Sequence, residues 1–327
     1  MEFYFSGLSD VGNVRNNNED YLFAGSVGEN AYLFIVADGM GGHRAGEIAS
    51  RKAVTTFVRL LEEATGGDIR EELKRIIGVV NEQLIQEGNR ASEKSGMGTT
   101  LSVLYIKDDM AYIAHVGDSR IYRCSNRDGV EKLDQLTEDH SFVGRLLKDG
   151  FITEEEARNH PRRNVLYQSI GLKKDINVQI REPFAIQPGD KFLLCSDGLY
   201  GVITDKELAW HLNEKSISNI TKHLIKKAKS NGGPDNITAI VVSTEKDEDI
   251  PADSTGTIAG KTFLEDTDKI IISSTLPKKN RRKVILILVA IILLLLALVV
   301  FLVIKNTDTG KKSSGPKAAA ELKLKKE

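Results

Sequence analysis

The sequence predicts an α+β fold of two stacked, mainly antiparallel β-sheets flanked by helices on both outer faces. Three observations lead there. Strand candidates outnumber helices. The strands between 98 and 136 follow one another through short turns, which suits antiparallel neighbours and leaves no room for the crossovers of a parallel, doubly wound sheet. Long helical segments come as a pair at 45–87, interleaved with the hairpins rather than alternating with every strand.

Strands are expected at Phe3–Leu8, Tyr21–Ala24, Tyr32–Ala37, Thr100–Ile106, Ala111–Val116, Ile121–Cys124, Glu131–Leu136, Val178–Glu182, Lys191–Cys195 and Thr238–Ser243. The first helix is expected at Ala45–Ala64, where Ile48, Val54, Val58 and Leu61 recur at helical spacing, and the second at Asp68–Glu87. Shorter helices are expected at Phe142–Leu147, Asp205–Leu212 and Ser218–Ser230.

At 327 residues and 41% hydrophobic content, the chain can bury a sizeable core in one large domain or two small ones. Residues 1–245 hold 30 Lys and Arg against 36 Asp and Glu, and residues 246–327 hold 15 against 10. The net charge of −1 therefore hides a split of −6 and +5. No basic face is indicated in the first part, which argues against nucleic acid as a partner. Cys124 and Cys195 are too few and too far apart for a disulfide framework or a Cys-rich zinc site.

Val284 to Ile304 is a run of 21 apolar residues, long enough at ~1.5 Å per residue to cross a hydrocarbon core of ~30 Å. Lys278, Lys279, Arg281, Arg282 and Lys283 stand directly before it and favour a cytoplasmic amino side. The tail behind it carries seven lysines and three acids and pulls the other way. Residues 1–20 show no basic head followed by an apolar stretch, so a signal peptide is not expected and the large domain is assigned to the cytoplasm. The expected organisation is a globular domain over 1–245, a flexible linker over 246–283, a transmembrane helix over 284–304 and a short basic tail over 305–327. This describes a single-pass protein of the cell membrane. As a coil, the ~38-residue linker would span on the order of 35 Å; Lys269-Ile270-Ile271-Ile272 is a short apolar patch within it, with docking elsewhere as its alternative.

The chemistry is carried by acids beside Gly or Asn: Glu19-Asp20, Asp38-Gly39, Asp118 after Val116-Gly117, Asp197-Gly198 and Asp235-Asn236, with apolar runs standing behind Asp38, Asp118 and Asp197. A carboxylate at the end of a buried strand is held rigidly at a sheet rim, where a hard divalent cation can collect several oxygens. The pattern suggests a polynuclear Mg²⁺ or Mn²⁺ site. Taken singly, Asp38-Gly39 and Asp197-Gly198 are also ordinary turn dipeptides. Asp118 has the alternative of capping its turn and pairing with Arg120, and Arg15 that of a surface ion pair.

Six motifs in order resemble the signature of the metal-dependent protein phosphatases of type 2C, and are closest to its bacterial branch. They are Gly12-Xaa-Val14-Arg15-Xaa-Xaa-Asn18-Glu19-Asp20, Val36-Ala37-Asp38-Gly39-Met40-Gly41-Gly42-His43, Gly98-Thr99-Thr100, Val116-Gly117-Asp118-Ser119-Arg120, Ser196-Asp197-Gly198-Leu199 and Asp235-Asn236-Ile237-Thr238. The resemblance covers residues 1–245. It implies that Asp38 bridges two Mn²⁺ or Mg²⁺ ions with the Gly39 carbonyl as a further ligand. Asp197 and Asp235 would hold the first ion, and Asp20 and Glu19 the second, directly or through water. Asp118 would hold a third, weaker ion, and Arg15 would grip the substrate phosphate. It also implies a mobile flap over 139–165 beside the cleft, where Arg162-Arg163 has the plainer alternative of a solvated charge pair.

The implied reaction is hydrolysis of phosphoserine and phosphothreonine in proteins, reversing a bacterial Ser/Thr kinase at the membrane. Phosphomonoester hydrolysis asks for on the order of 20 kcal/mol of transition-state stabilisation. Two close cations lower the pKa of a bridging water and neutralise phosphoryl oxygens. Arg15 adds a permanently charged fork. His43 is the best local proton donor to the leaving alkoxide, although its spacing from Asp38 differs from the eukaryotic pattern. A Cys-Xaa5-Arg loop of the cysteine-dependent phosphatases is absent, since the sixth residue after Cys124 is Val130 and after Cys195 is Gly201. The rival readings are a catalytically silent phosphoprotein-binding module and a small-molecule phosphate hydrolase on the same scaffold. The first would be marked by loss of a core acid, whereas Asp38, Asp197 and Asp235 are all present.

Overall fold

Successive residues of the same strands face different layers, and this sorting builds the architecture. In a computed structural model, which describes residues 1–41, 44–90, 96–127, 130–246 and 269–273, two sheets stack face to face. The first runs in the order β12 (Lys269–Ser273), β1 (Tyr4–Asp10), β11 (Ile237–Ser243), β10 (Lys191–Cys195), β7 (Arg120–Arg127) and β8 (Val130–Gln135). The second runs β2 (Asp20–Gly28), β3 (Ala31–Met40), β5 (Leu101–Lys107), β6 (Met110–Val116) and β9 (Gln179–Ala185), with the two-residue β4 (Gly98–Thr99) on the end of β3. All neighbours whose register is defined are antiparallel.

Phe34 and Val36 of β3 point between the sheets with Phe5, Leu104, Ile121, Phe192, Leu194 and Ile240. Leu33, Ile35 and Ala37 of the same strand point outward against α1 (Ala45–Glu62) and α2 (Ile69–Arg90). On the opposite face, Leu193, Cys195, Ala239 and Val241 meet α5 (Asp197–Tyr200), α6 (Asp205–Leu212) and α7 (Ile217–Ser230). Central strands covered on both faces read as continuous apolar runs, which is why the runs before the acids do not alternate. Each fully buried large side chain contributes ~1.5–3 kcal/mol, and that interior carries the polar rim described below.

The expected strands and helices are all present, with ends moved by a few residues; the helix expected at Phe142–Leu147 is α3 (Phe142–Lys148). Two short helices were not expected. α4 (Glu154–Asn159) has a capping box from Thr153 and Glu156 but no buried residue, so no apolar period announces it. α5 is only four residues long. The sequence also placed 269–273 in a flexible linker, and this part of the expectation is corrected. Its β-branched run pairs antiparallel with β1, from Ser6 opposite Ser273 to Asp10 opposite Lys269, and covers an edge that would otherwise be open. The expected transmembrane helix, Val284–Ile304, lies outside the described residues; among those described, no helix is long and apolar enough to cross a membrane.

Candidate metal centre

Strand register brings the acids to one end of the sandwich. Asp20 opens β2 directly opposite Asp38 near the end of β3. Val116 at the end of β6 pairs with Leu101 at the start of β5, so Asp118 emerges at that same end. In the other sheet, Cys195 closes β10 opposite Ala239 near the start of β11, so Asp197 and Asp235 leave from a single edge.

Side chains then lock the two sheets together across the rim. Asp20 Oδ2 accepts from Ser196 Oγ at 2.7 Å and from Thr238 Oγ1 at 2.6 Å, two hydroxyls of the opposite sheet. The Asp38 backbone is pinned by the Gly98-Thr99-Thr100 motif. Its N–H donates to Thr100 Oγ1 at 2.8 Å, and its carbonyl accepts from Thr99 Oγ1 and Thr100 N at 2.9 Å each. Thr100 Oγ1 also shares a 2.7 Å hydrogen bond with Ser119 Oγ, which ties Asp38 to the turn carrying Asp118. Asn236 does the same for the amino-terminal loop: its amide donates to the carbonyls of Val11 and Asn17 and accepts from Glu19 N. Gly12 closes that loop at φ +80°, where a Cβ would lie 2.1 Å from the Asp235 carbonyl oxygen. Gly39 is equally constrained, since a Cβ there would meet the carbonyl oxygens of Gly46 at 2.2 Å and Glu19 at 2.5 Å. This close approach seats the Glu19 carboxylate against Gly46 in the first turn of α1.

The electrostatics are those of a site that wants cations. Burial lifts Asp38 well above the usual carboxylate range, and Asp20, Asp197, Asp118 and Asp235 lift it further. Asp20 is pushed up to about 7, first by burial, despite its two hydroxyl donors, and then by Asp197 and Asp235. Asp197 is pushed up to about 6 by burial and Asp235. Burial, Asp197 and Asp139 raise Asp118. Glu19 is raised as well, by burial before any neighbour. Oδ1 of Asp20 and Oδ1 of Asp197 are buried with no hydrogen-bond partner. Two orphaned carboxylate oxygens among like charges are costly for the protein alone, at ~1–3 kcal/mol or more for each such group. Oxygen donors of this kind are what Mg²⁺ and Mn²⁺ take, so the residues present fit the ions the sequence implies.

The predicted residues, His43 apart, can now be placed. Asp20, Asp38, Asp118, Asp197 and Asp235 come together, Gly39 adjoins Asp38, and Glu19 lies beside them. Arg15 is half-exposed and pairs with Asp235 at 2.8 Å, so both readings of it meet in one contact: a surface ion pair made with an acid of the centre. Asp118 does not pair with Arg120. That guanidinium is bidentate on Asp139 and stacks over Tyr200. His43 lies outside the described residues. Burial holds the Cys195 thiol far above its ordinary range, which leaves no cysteine nucleophile here. Sequence reasoning quoted Thr100, Ser196, Asn236 and Thr238 within motifs without seeing what they hold. It also undervalued Arg163, whose charge reaches Asp197, whereas Arg162 lies over the Phe142 ring at 3.9 Å.

Known proteins resemble this chain in sequence and fold. A family model described as protein phosphatase 2C matches residues 13–237. The serine/threonine phosphatase stp of Listeria welshimeri is 41% identical over 244 residues, covering 72% of this chain and 93% of that protein. The crystal structure of the serine/threonine phosphatase Stp1 from Staphylococcus aureus matches with a TM-score of 0.70 at 32% identity, over 75% of this chain and 96% of that one. The catalytic domain of the serine/threonine protein phosphatase PstP, solved in complex with two manganese ions, matches with a TM-score of 0.64 at 32% identity, over 74% and 99% of the two chains.

Proposed function

The chain belongs to the protein phosphatase 2C family and is a metal-dependent serine/threonine protein phosphatase, and from that premise we propose how its residues divide the work and where it acts. Asp38 and the Gly39 carbonyl would hold the ions at the centre of the group, with Asp197 and Asp235 on one side, Asp20 and Glu19 on the other, and Asp118 for a third ion. When bound, Mn²⁺ or Mg²⁺ supplies a water-derived nucleophile near neutral pH and neutralises the phosphoryl oxygens. Arg15 orients the phosphate with its planar fork, exchanging the Asp235 carboxylate for phosphate oxygens. His43 gives a proton to the leaving serine or threonine alkoxide. Ser196, Thr238 and Thr100 keep Asp20 and Asp38 aimed at the ions.

The observation that supports this assignment most is the meeting of five acids from two sheets, two of whose carboxylate oxygens have no partner. Phosphate release from a phosphothreonine peptide by the full chain tests it. Turnover is expected with Mn²⁺ and none with EDTA, and turnover that persists in EDTA would sink the reading.

The enzyme acts, on this proposal, as a single-pass membrane protein anchored by Val284–Ile304, with its phosphatase domain over 1–245 in the cytoplasm and the basic tail 305–327 outside. The apolar run and the basic flank Lys278–Lys283 support this placement. Its substrates are phosphoserine and phosphothreonine proteins, among them a Ser/Thr kinase and that kinase's targets, and tethering raises its effective concentration toward membrane-bound ones. Recovery of the full chain in the soluble fraction after lysis, level with a variant ending at Pro277, would contradict the anchor.

A further inference from the structure

Between Asp197 and Asp235 in sequence, the corner between α6 and α7 carries a second group of metal-ligating side chains. His211 ends α6 but for one residue, Glu214 follows two residues beyond the helix, and His223 lies midway along α7. The Glu214 carboxylate stands between the two imidazoles, with His211 Nδ1 at 3.0 Å from Oε1 and His223 Nδ1 at 2.8 Å from Oε2. One donor atom from each of the three lies within 4.8 Å of the other two. The corner is built rather than loose. Lys191 Nζ, buried beneath it, donates to the carbonyls of Leu212 and Glu214 at 2.9 Å each, and Glu214 N donates to the His211 carbonyl. His211 itself is largely buried, with Trp210 set edge-on to its ring at 4.7 Å.

We propose that His211, Glu214 and His223 form a Zn²⁺ site distinct from the catalytic centre. Two imidazole nitrogens and one carboxylate oxygen are a donor set for a borderline-soft cation with ~2.0–2.2 Å bonds, and solvent reaches the half-exposed His223 to fill a fourth position. Mg²⁺ prefers oxygen and would favour the acid rim instead. Adjacent ligands of a tetrahedral ion with such bonds stand ~3.4 Å apart. The 2.8–3.0 Å nitrogen–oxygen separations therefore need only a small opening of the carboxylate between the rings. The bound ion clasps the end of α6 to the middle of α7, two helices already joined below through Leu208, Leu212, Ile220 and Leu224.

The test uses the full-length protein held in excess Mg²⁺, so that the acid rim is occupied while Zn²⁺ is titrated. Trp210 is the single tryptophan of the chain, so its emission reports this corner alone. The wild type is expected to bind one more equivalent of Zn²⁺ by calorimetry than His223→Ala or Glu214→Gln. Its Trp210 emission should change saturably, and its Tm should rise by roughly 5 °C at a hundredfold excess over Kd. Both variants should lose the extra equivalent and the emission change while keeping the wild-type Tm in Mg²⁺ alone to within about 2 °C. Equal Zn²⁺ stoichiometry in wild type and His223→Ala, or an unmoved Trp210 signal in the wild type, would overturn the proposal.

Discussion

Behind the 117–120 turn, the Arg120 guanidinium is closed on every side. Asp139 accepts two forked hydrogen bonds from it, Tyr122 Oη takes another, and the Tyr200 ring lies 3.8 Å beneath. Beside it, His115 is fully buried yet satisfied by Ser102 Oγ and the carbonyls of Gly117 and Glu138. In front of the same turn, Asp118, Asp38, Asp197 and Asp20 repel one another, and two of their oxygens have no partner. Both groups sit at comparable depth at the same turn, but the first mixes cation, anion and hydroxyls whereas the second is carboxylates alone. The first completes its hydrogen bonds within the chain and so adds to the fold. The second leaves them open, and an open, like-charged group of this kind marks a place kept for a ligand.

That contrast can be broken by mutation. Asp38→Asn is expected to lower Mn²⁺-dependent kcat/KM on the order of 10³-fold, because it removes the acid on which the centre converges. In EDTA at pH 7.5 the same variant should melt no lower than wild type, since it relieves repulsion. A variant active to within tenfold, or one that melts far below wild type without metal, would place Asp38 in the satisfied group. Asp139→Asn tests the other side and should cost about 3–5 kcal/mol in urea denaturation, because Arg120 is left buried and uncompensated. A loss below about 1 kcal/mol would show that the rear pair is not what stabilises the turn. Between the two lies Ser196, which donates to Asp20 from the opposite sheet. Ser196→Ala should raise the Mn²⁺ concentration for half-maximal activity by roughly 10–100-fold with little change in activity at saturation; an unchanged half-saturation point would detach Ser196 from the centre.

The difference between the two groups also sets what a reader of the sequence can see. Asp38, Asp118 and Asp197 stand out because each follows an apolar run, and Asp20 and Asp235 because each stands just before one, a local pattern that survives in one dimension. The sandwich was legible for the same reason, through strand length and turn spacing. The partners that aim the acids were not: Thr238 reaches Asp20 across 218 residues and Asn236 reaches Asn17 across 219. Arg120 is the nearest cation to Asp118 in sequence, two residues away, yet the chain bends at Gly117-Asp118 before β7 begins at Arg120, and the Arg120 fork found Asp139. The strand at 269–273 was visible only as an apolar patch, because nothing local shows that the β1 edge is open to receive it. Arg163 needed the fold to bring the 139–165 segment over Asp197.

The central claim is that the acid rim is unsatisfied until it holds divalent cations, and the Mn²⁺-induced rise in Tm, measured at pH 5.5 and pH 7.5, tests it most directly. Carboxylates whose folded pKa is raised, such as Asp20 to about 7 and Asp197 to about 6, hold protons in the folded state that the unfolded chain has already lost. Their contribution to the metal-free fold is therefore present at low pH and lost as pH rises toward 7. The buried His115, held down to about 3, works in the opposite sense, but it does so with and without metal and cancels in the difference. Mn²⁺ must displace those carboxylate protons, so the rise in Tm should be clearly larger at pH 7.5 than at pH 5.5. An equal rise at both values, or none at either, would contradict the account.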